Sequence, residues 1–509
     1  MTTSPSTSPA QVLPGRGIGF LTLGASLHYV LTRLKGLPQS YPTIDLVYSS
    51  SDPIHNPILI NLPENGLRLR FDGPDQRLRL IEVLDFTKIP LSYKSNEILK
   101  GSKSDRTPQT GPNFRHVYNR LFGLSYPGEY VPPTVNGTHG TYILSYPGVA
   151  FSFPLLHSAW SPERDFVSLL SSSAASPASS MAVFLGESWA DARSDLFTRQ
   201  PIYPRLTALA GKNKEYLAEE IELVKVHGGG IIEFIRKAGS SFWITLSETT
   251  PQDLIAELGP PDAIYRKSDR RILIHGGRVS NNTANLGTSP SPSQAPTEPT
   301  DFDQTPDNSA IEDSDGDSLS SRKQDPSSIA GECFYNYFNH GFDVFISQPT
   351  PAGPPFPGSS PSNLPPTATG PQLTVTKLLL HGNIPGSYPF NRHRRSRWVL
   401  DIDGDGALNS EVPYEKVSER LKKLWKGYYS NSSEEAAFQR GMVLNRGWGD
   451  SPGSSVELLG GWEESTGNKH SDQPGEDDVN ALGNTELFGF PGLLFEILKN
   501  GAVSCLTIY

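Results

Sequence analysis

Asp401, Asp403 and Asp405 stand at alternate positions in DIDGDGALNSE, with Gly406 placed for a turn and Leu408 behind it. That is how an oxygen-ligand loop for calcium begins. It does not end as one. The twelfth position, which should supply a bidentate Glu, is Val412, and the nearest carboxylate is Glu411. The string therefore reads as an acidic surface turn, and no metal or cofactor is expected. A second candidate is GESWA, Gly186 to Ala190, between strand-like MAVFL and ADARSDLF. It approaches the strand–turn–helix elbow that exposes a nucleophilic serine, here Ser188. Ala190 replaces the final glycine, and no oxyanion motif precedes it. The triglycine Gly228–Gly230 follows His227 but lies after the serine. No nucleophile, base and oxyanion set converges, so the expectation is no enzyme and no catalytic residue.

Two further strings could touch a ligand. HRRSR, His393 to Arg397, offers Arg394, Arg395 and Arg397 to phosphates, an anionic membrane or a partner. The alternative is a solvated strand edge. FYNYF, Phe334 to Phe338, reads as a core strand before it reads as a ligand platform.

The elements that would position these groups repeat. Leu27, Val30, Leu31 and Leu34 mark one face of a helix with Ser26 as its cap. Phe114, Val117, Tyr118 and Leu121 repeat the spacing. A third helix starts at Pro251 after Thr250 and stops at Gly259 and Pro260; a fourth follows Pro413 with Tyr414, Val417, Leu421 and Leu424. Each is followed by a glycine and a strand of alternating apolar residues: GLRLRF from Gly66, GVAFSF from Gly148, GFDVFI from Gly341 and GLLFEI from Gly492. Period-two alternation marks half-buried antiparallel strands. Further strands come from LRLIEVL, TKLLLH and SCLTIY. The fold class expected is α+β, with antiparallel sheets against a few helices in four related helix-plus-hairpin units. The stretch 219–246 fits none of the four and reads as additional hairpins around Gly228–Gly230.

Composition frames this body. The chain has 509 residues and a formal charge of -10, with Gly 47, Pro 45 and only Cys333 and Cys505 for thiol chemistry. Eight acids and no Lys or Arg fall within 298–317, so the remainder carries -10 + 8 = -2. A nucleic-acid binder built on a basic face is not expected, nor is a disulfide scaffold. The start, MTTSPSTSPAQVLPG, has neither the basic nor the apolar block of a signal peptide, and no apolar run would span a bilayer. A soluble, cytoplasmic protein is expected.

The organisation reads as a disordered 1–15, a body over 16–275, an acidic insertion 276–330, body strands in 331–348, a Pro-rich insertion 349–372, the body again over 373–446, a Gly- and acid-rich insertion 447–484, and closing strands in 485–509. The first insertion is too poor in large apolar groups to offset chain entropy. Deleting 276–330 should shift the melting temperature by less than about 2 °C; a loss of several degrees would show that the segment packs.

Longer strings carry a resemblance. VYSSSDPIHNPILINLPENGLRLRFDGPDQRLRLIEVLDFTKIPLSY (47–93), LGPPDAIYRKSDRRILIH (258–275), CFYNYFNHGFDVFI (333–346), LLLHGNIPGSYPFNRHRR (378–395) and FGFPGLLFEILKNGAVSCLTIY (488–509) resemble, in order, blocks of the phagophore assembly factor 1 (MYTHO) family. The resemblance implies a non-enzymatic autophagy scaffold, recruited to the phagophore assembly site with a WD-repeat β-propeller partner of the breast-carcinoma-amplified-sequence type. It implies peripheral membrane association through that partner. The alternative it carries is an adaptor in Golgi-to-plasma-membrane transport. Three arginines contribute about 3 kcal/mol at an anionic surface, which corresponds to millimolar or weaker binding. HRRSR would at most assist recruitment.

Overall fold

The computed structural model describes residues 9–99, 110–134, 137–200, 219–266, 332–349, 372–402, 408–445 and 484–509. The three expected long insertions fall almost wholly outside these residues. The first half opens with strands β1 (Ala10–Leu13), β2 (Gly17–Ile18) and β3 (Leu21–Thr22) and helix α1 (Leu27–Lys35). Strands β4 (Asp45–Val47), β5 (Ile58–Leu62), β6 (Leu67–Phe71) and β7 (Leu78–Val83) follow, then β8 (Leu91–Tyr93) and β9 (Asn96–Glu97). Helix α2 (Phe114–His116) runs on as a π turn over Val117–Leu121. The half ends with β10 (Glu129–Val131), β11 (His139–Tyr146), β12 (Val149–Leu156), α3 (Phe166–Leu170), β13 (Ser180–Val183) and α4 (Trp189–Ala192).

The second half begins with β14 (Ile221–Val226), β15 (Ile231–Arg236), β16 (Ser241–Thr245) and α5 (Pro251–Leu258). Strands β17 (Ala263–Arg266), β18 (Cys333–Tyr337), β19 (Phe342–Ser347), β20 (Thr374–His381), β21 (Trp398–Leu400) and β22 (Leu408–Asn409) come next. Helices α6 (Tyr414–Leu424) and α7 (Ser432–Phe438) precede β23 (Met442–Asn445), β24 (Asn484–Phe490), β25 (Leu493–Ile497) and β26 (Val503–Ile508).

Laid side by side, the halves have one topology. A five-stranded sheet β3-β2-β1-β8-β9 matches β16-β15-β14-β21-β22, and an eight-stranded sheet β4-β5-β6-β7-β13-β12-β11-β10 matches β17-β18-β19-β20-β26-β25-β24-β23. Each five-stranded sheet contains a parallel pair, β1 with β8 and β14 with β21. Each eight-stranded sheet is two four-stranded meanders joined antiparallel through their last strands, β7 with β13 and β20 with β26. One helix precedes each meander: α1, α2, α5 and α6. The four expected helix-plus-hairpin units are these meanders. The residues that matched no unit, 219–246, form β14–β16, the counterpart of β1–β3.

Local chemistry accounts for the pieces. The Ser26 hydroxyl caps α1 by accepting from Tyr29 N–H, and Leu27, Val30, Leu31 and Leu34 are fully buried. Thr250 and Asp253 form a reciprocal capping box on α5, with Pro251 at the first position. The glycines between the second and third strand of each meander all have left-handed φ: 62° at Gly66, 79° at Gly148, 90° at Gly341 and 76° at Gly492. At Gly341 a Cβ would also run into the carbonyl of Arg394, so the turn needs glycine twice over.

Each half has its own apolar core. One gathers α1, α2 and the first eight-stranded sheet around Phe71, Phe151 and Phe153; the other gathers α5, α6 and the second around Phe342, Trp398, Trp425 and Phe495. Phe390 of the second half packs into the first core, Ile54 makes a small apolar contact with Ile384 and Ala502, and polar groups fill much of the seam beside them. No helix among the described residues is long and apolar enough to cross a membrane.

Candidate functional site

The segment between β20 and β21, residues 382–397, runs along the seam and carries HRRSR. Arg394 and Arg395 are interior residues, 7% and 4% exposed. This corrects the reading of the cluster as a surface that could meet lipid. Guanidinium presents its donors in a fixed fork, and in Arg395 that fork is filled by three backbone carbonyls. Nε donates to Pro74 (2.7 Å), Nη1 to Gly382 (2.8 Å) and Nη2 to Ser410 (3.2 Å). Burial draws its pKa down to about 10. Arg394 pairs with Glu220 at 3.2 Å and donates to the carbonyl of Ile221. Glu220 also pairs with Arg77 at 2.8 Å. Burial would raise the Glu220 pKa, but the two guanidinium charges outweigh it and hold the group at about 2.

Arg397 is half-buried and reaches across the seam to Asp75 at 2.7 Å, while its other donors hold Glu411 at 2.6 and 2.9 Å. Beside it Gln76 and Asn383 exchange amide hydrogen bonds, each 2.8 Å: Gln76 Nε2 to the Asn383 carbonyl and Asn383 Nδ2 to Gln76 Oε1. Both residues have left-handed φ, 50° and 47°. Such values are uncommon outside glycine, and the reciprocal pair pins both turns. The loop 72–77 of the first half is thus gripped by 383–397 of the second.

Next to the grip sits the densest polar cluster. Asp343 projects from β19; His381 ends β20; His393 opens HRRSR. His381 Nε2 lies 2.9 Å from Asp343 Oδ2, and His393 Nε2 lies 2.7 Å from Oδ1. Asn336 Nδ2 donates to Oδ1 at 2.8 Å. Burial would raise the Asp343 pKa, but the hydrogen bonds and charge of the two histidines hold it well below the usual carboxylate range. Burial works against a charge on His381; the adjacent Cys505 sulfur and the Asp343 carboxylate outweigh it and raise its pKa. Burial and the charge on His381 press His393 down to about 4.

Two histidines and an aspartate within 4.8 Å are a metal-ligand set by type. Their arrangement does not fit one ion. The imidazoles lie face to face, 3.8 Å between centroids and 13° between planes. An imidazole donates its lone pair in the ring plane, so stacked rings aim side by side and do not converge on a tetrahedral or octahedral centre. The carboxylate itself occupies the space in front of both Nε2 atoms. The cluster is a hydrogen-bonded anchor of the second half's sheet to the gripping segment.

The other sequence candidates are tied down locally. Ser188 caps α4: its hydroxyl accepts from Asp191 N–H (3.2 Å) and donates to the Asp191 carboxylate (2.6 Å). Its φ of -136° is ordinary extended backbone, without the strain of a nucleophile elbow. Asp401 faces His227 at 3.4 Å, Glu411 is held by Arg397, and 403–407 lie outside the described residues. FYNYF starts as the core strand expected, β18, with Tyr337 1% exposed. Sequence reasoning missed Asp343, His381, Glu220 and Gln76. The available signal was a charged residue inside the apolar alternation of GFDVFI.

Comparison with known proteins adds a lineage. A family model described as phagosome assembly factor 1 matches residues 17–290 and 317–509. A PHAF1 protein of Arabidopsis thaliana is 22% identical over 513 residues, covering 97% of this chain and 92% of the relative. One from Drosophila melanogaster is 22% identical over 480 residues, covering 92% and 85%. One from Caenorhabditis elegans is 32% identical over a shorter 132 residues, 26% and 28% of the two chains. No solved structure matches the chain.

Proposed function

This chain belongs to the phagosome assembly factor 1 family, and from that premise we propose a non-catalytic assembly factor that acts at the forming phagophore by binding a WD-repeat β-propeller partner. The observation that carries the reading is the family match, which takes in both halves of the duplicated fold. Two structural facts support it. The groups with the most chemical potential are engaged inside the fold: Arg395 and Arg397 of HRRSR hold the halves together, and the Asp343 cluster ties the second half's sheet to the same segment. The outer strands of the second eight-stranded sheet also carry exposed apolar side chains: Ile264 and Tyr265 on β17, Met442 and Val443 on β23. Exposed apolar strand edges of this kind suit protein contact.

Recruitment through a protein partner is a membrane route that does not require HRRSR to leave the seam. Changing Arg394, Arg395 and Arg397 to Glu would place three carboxylates against Glu220, Asp75 and Glu411 and unfold the seam, so that variant cannot report a lipid contact. The test is localisation of tagged wild-type chain in starved cells with and without the propeller partner. Loss of its puncta in partner-null cells is expected. Puncta that persist, or micromolar binding of purified chain to phosphoinositide vesicles, would replace the reading with direct lipid recognition.

A further inference from the structure

A pocket of about 500 Å³ lies in the first half, between α2 with its π turn and the segment 170–176 that follows α3. The fold itself joins the two walls. Ala178 N–H donates to the Pro112 carbonyl at 2.9 Å, and Arg115 Nη2 donates to the Ser171 carbonyl at 3.3 Å. Phe114, Val117 and Leu170 root both walls in the first core. Arg115 keeps the rest of its guanidinium donors, and Arg120 makes no hydrogen bond or ion pair among the described residues. The side chains of Asn113, Asn119, Ser171 and Ser176 add further unengaged donors on both walls. His116 is fixed through Nε2 on the Glu97 carbonyl at 2.9 Å. No Asp or Glu among the described residues lines the pocket.

Residues five apart stand about 140° around the axis of a regular α-helix. Here Phe122 N–H bonds the Val117 carbonyl, five residues back, at 2.9 Å. The wider turn narrows that angle, and Arg115 and Arg120 line one pocket. Such π turns are rare and recur at functional sites. We propose that this pocket holds a phosphate-monoester group carried by a ligand. Two guanidinium charges with no lining carboxylate select an anion. The donor set selects phosphate, because guanidiniums, hydroxyls and amides approach from both walls. A carboxylate offers them two oxygens, whereas a phosphate monoester offers three on a more highly charged centre. The volume is more than a lone phosphate fills and lies within the roughly 300–1,000 Å³ that small-molecule ligands occupy, so the phosphate sits on a larger body. That body has two possible sources, a soluble molecule or a lipid headgroup. Leu124 and Tyr126, 84% and 90% exposed, follow Arg120 by four and six residues, and they are the side chains that would tell the sources apart.

The proposal does not rest on the propeller reading. A soluble ligand leaves that reading as it stands, while vesicle binding through this pocket would be the direct lipid recognition that displaces it. The experiment is titration calorimetry on the full chain with inositol trisphosphate as the soluble probe. Binding at about 10–100 μM is expected, weakened about tenfold or more in Arg115→Gln/Arg120→Gln. Arg120→Gln alone removes no internal bond and should weaken it about fivefold. Lys422→Gln/Lys426→Gln removes the same charge outside the pocket and should bind within about twofold of wild type. Circular dichroism confirms that the variants fold. Citrate, which carries carboxylates only, should bind about tenfold more weakly than the trisphosphate. Absent binding at about 1 mM probe, equal loss in both double variants, or citrate binding as tightly overturns the proposal. Vesicles containing phosphatidylinositol bisphosphate then separate the sources. Vesicle binding that needs Arg115 and Arg120, and that Leu124→Ser/Tyr126→Ser weakens without touching the soluble probe, assigns the phosphate to a lipid. Binding of the soluble probe with none to vesicles assigns it to a soluble ligand.

Discussion

Asp343→Ala should cost about 3–5 kcal/mol of stability, more than any surface change in this chain, because it strands buried donors that have no other acceptor. His381, His393 and Asn336 all direct nitrogen at that one carboxylate. Removing it leaves a buried imidazolium without its counter-ion, stacked 3.8 Å from a second imidazole. Asp343→Asn keeps the shape and one acceptor, and should lose less. Urea unfolding followed by intrinsic fluorescence measures both. A loss below about 1 kcal/mol for the alanine variant would show that the cluster contributes nothing net to the fold.

Acidification should produce the other large effect. His28, His340 and His393 are buried and held neutral, each at about 4. Burial is the first cause in all three. On His28, set on α1 against the Arg392 backbone, the charges of Arg394 and Lys35 add to it. On His340, Arg394 and Arg236 push down while Glu220 pulls up. On His393, His381 and Arg392 push down against Asp343. A histidine with a depressed folded pKa binds its proton more readily unfolded, so its stability contribution is present above the unfolded value of about 6.5 and is lost as pH falls toward about 4. Between pH 7 and 5 each forfeits about 2 kcal/mol, and the three together about 6, comparable to the whole margin of many domains. His381 has the opposite sign: its raised pKa contributes fully below about 6.5 and is lost only at higher pH, so between pH 7 and 5 it offsets under about 1 kcal/mol of the loss. Asp343 and Glu220, both depressed, keep contributing until pH drops below about 4. Denaturation midpoints at pH 7, 6 and 5 measure the slope, and His340→Gln should flatten it by about a third. A midpoint independent of pH over that range would show that these histidines are solvated.

The contrast between what local strings reveal and what they hide is clear at particular residues. Ser26, Thr250 with Pro251, and the turn glycines Gly66, Gly148, Gly341 and Gly492 announce their roles because caps and left-handed turns are set by neighbours a few residues away. The duplication was harder to read. Its defining pairings, parallel β1 with β8 and antiparallel β20 with β26, join strands far apart in the chain and leave no local signature. The 219–246 hairpins therefore looked like an extra piece when they were the opening of a second copy. HRRSR misled for the same reason. An arginine run reads as solvated unless its acceptors are visible, and those of Arg395 include Pro74, 321 residues away. Asp343 was missed although its signal is local, since a carboxylate in an apolar strand must find partners or fail to fold.

The strand that closes the second half is translated after every other strand described in it. β26 lies between β20 and β25 and joins the two meanders of its sheet; its counterpart β13 is complete by residue 183. During synthesis the first half can therefore close while the rest of the chain is still being translated, but the second keeps an open sheet edge until β26 has been made. A stop codon or frameshift upstream of residue 503 would remove a central strand of the sheet. It would leave two unjoined meanders with exposed apolar faces, a substrate for chaperones and proteases, beside a first half already folded.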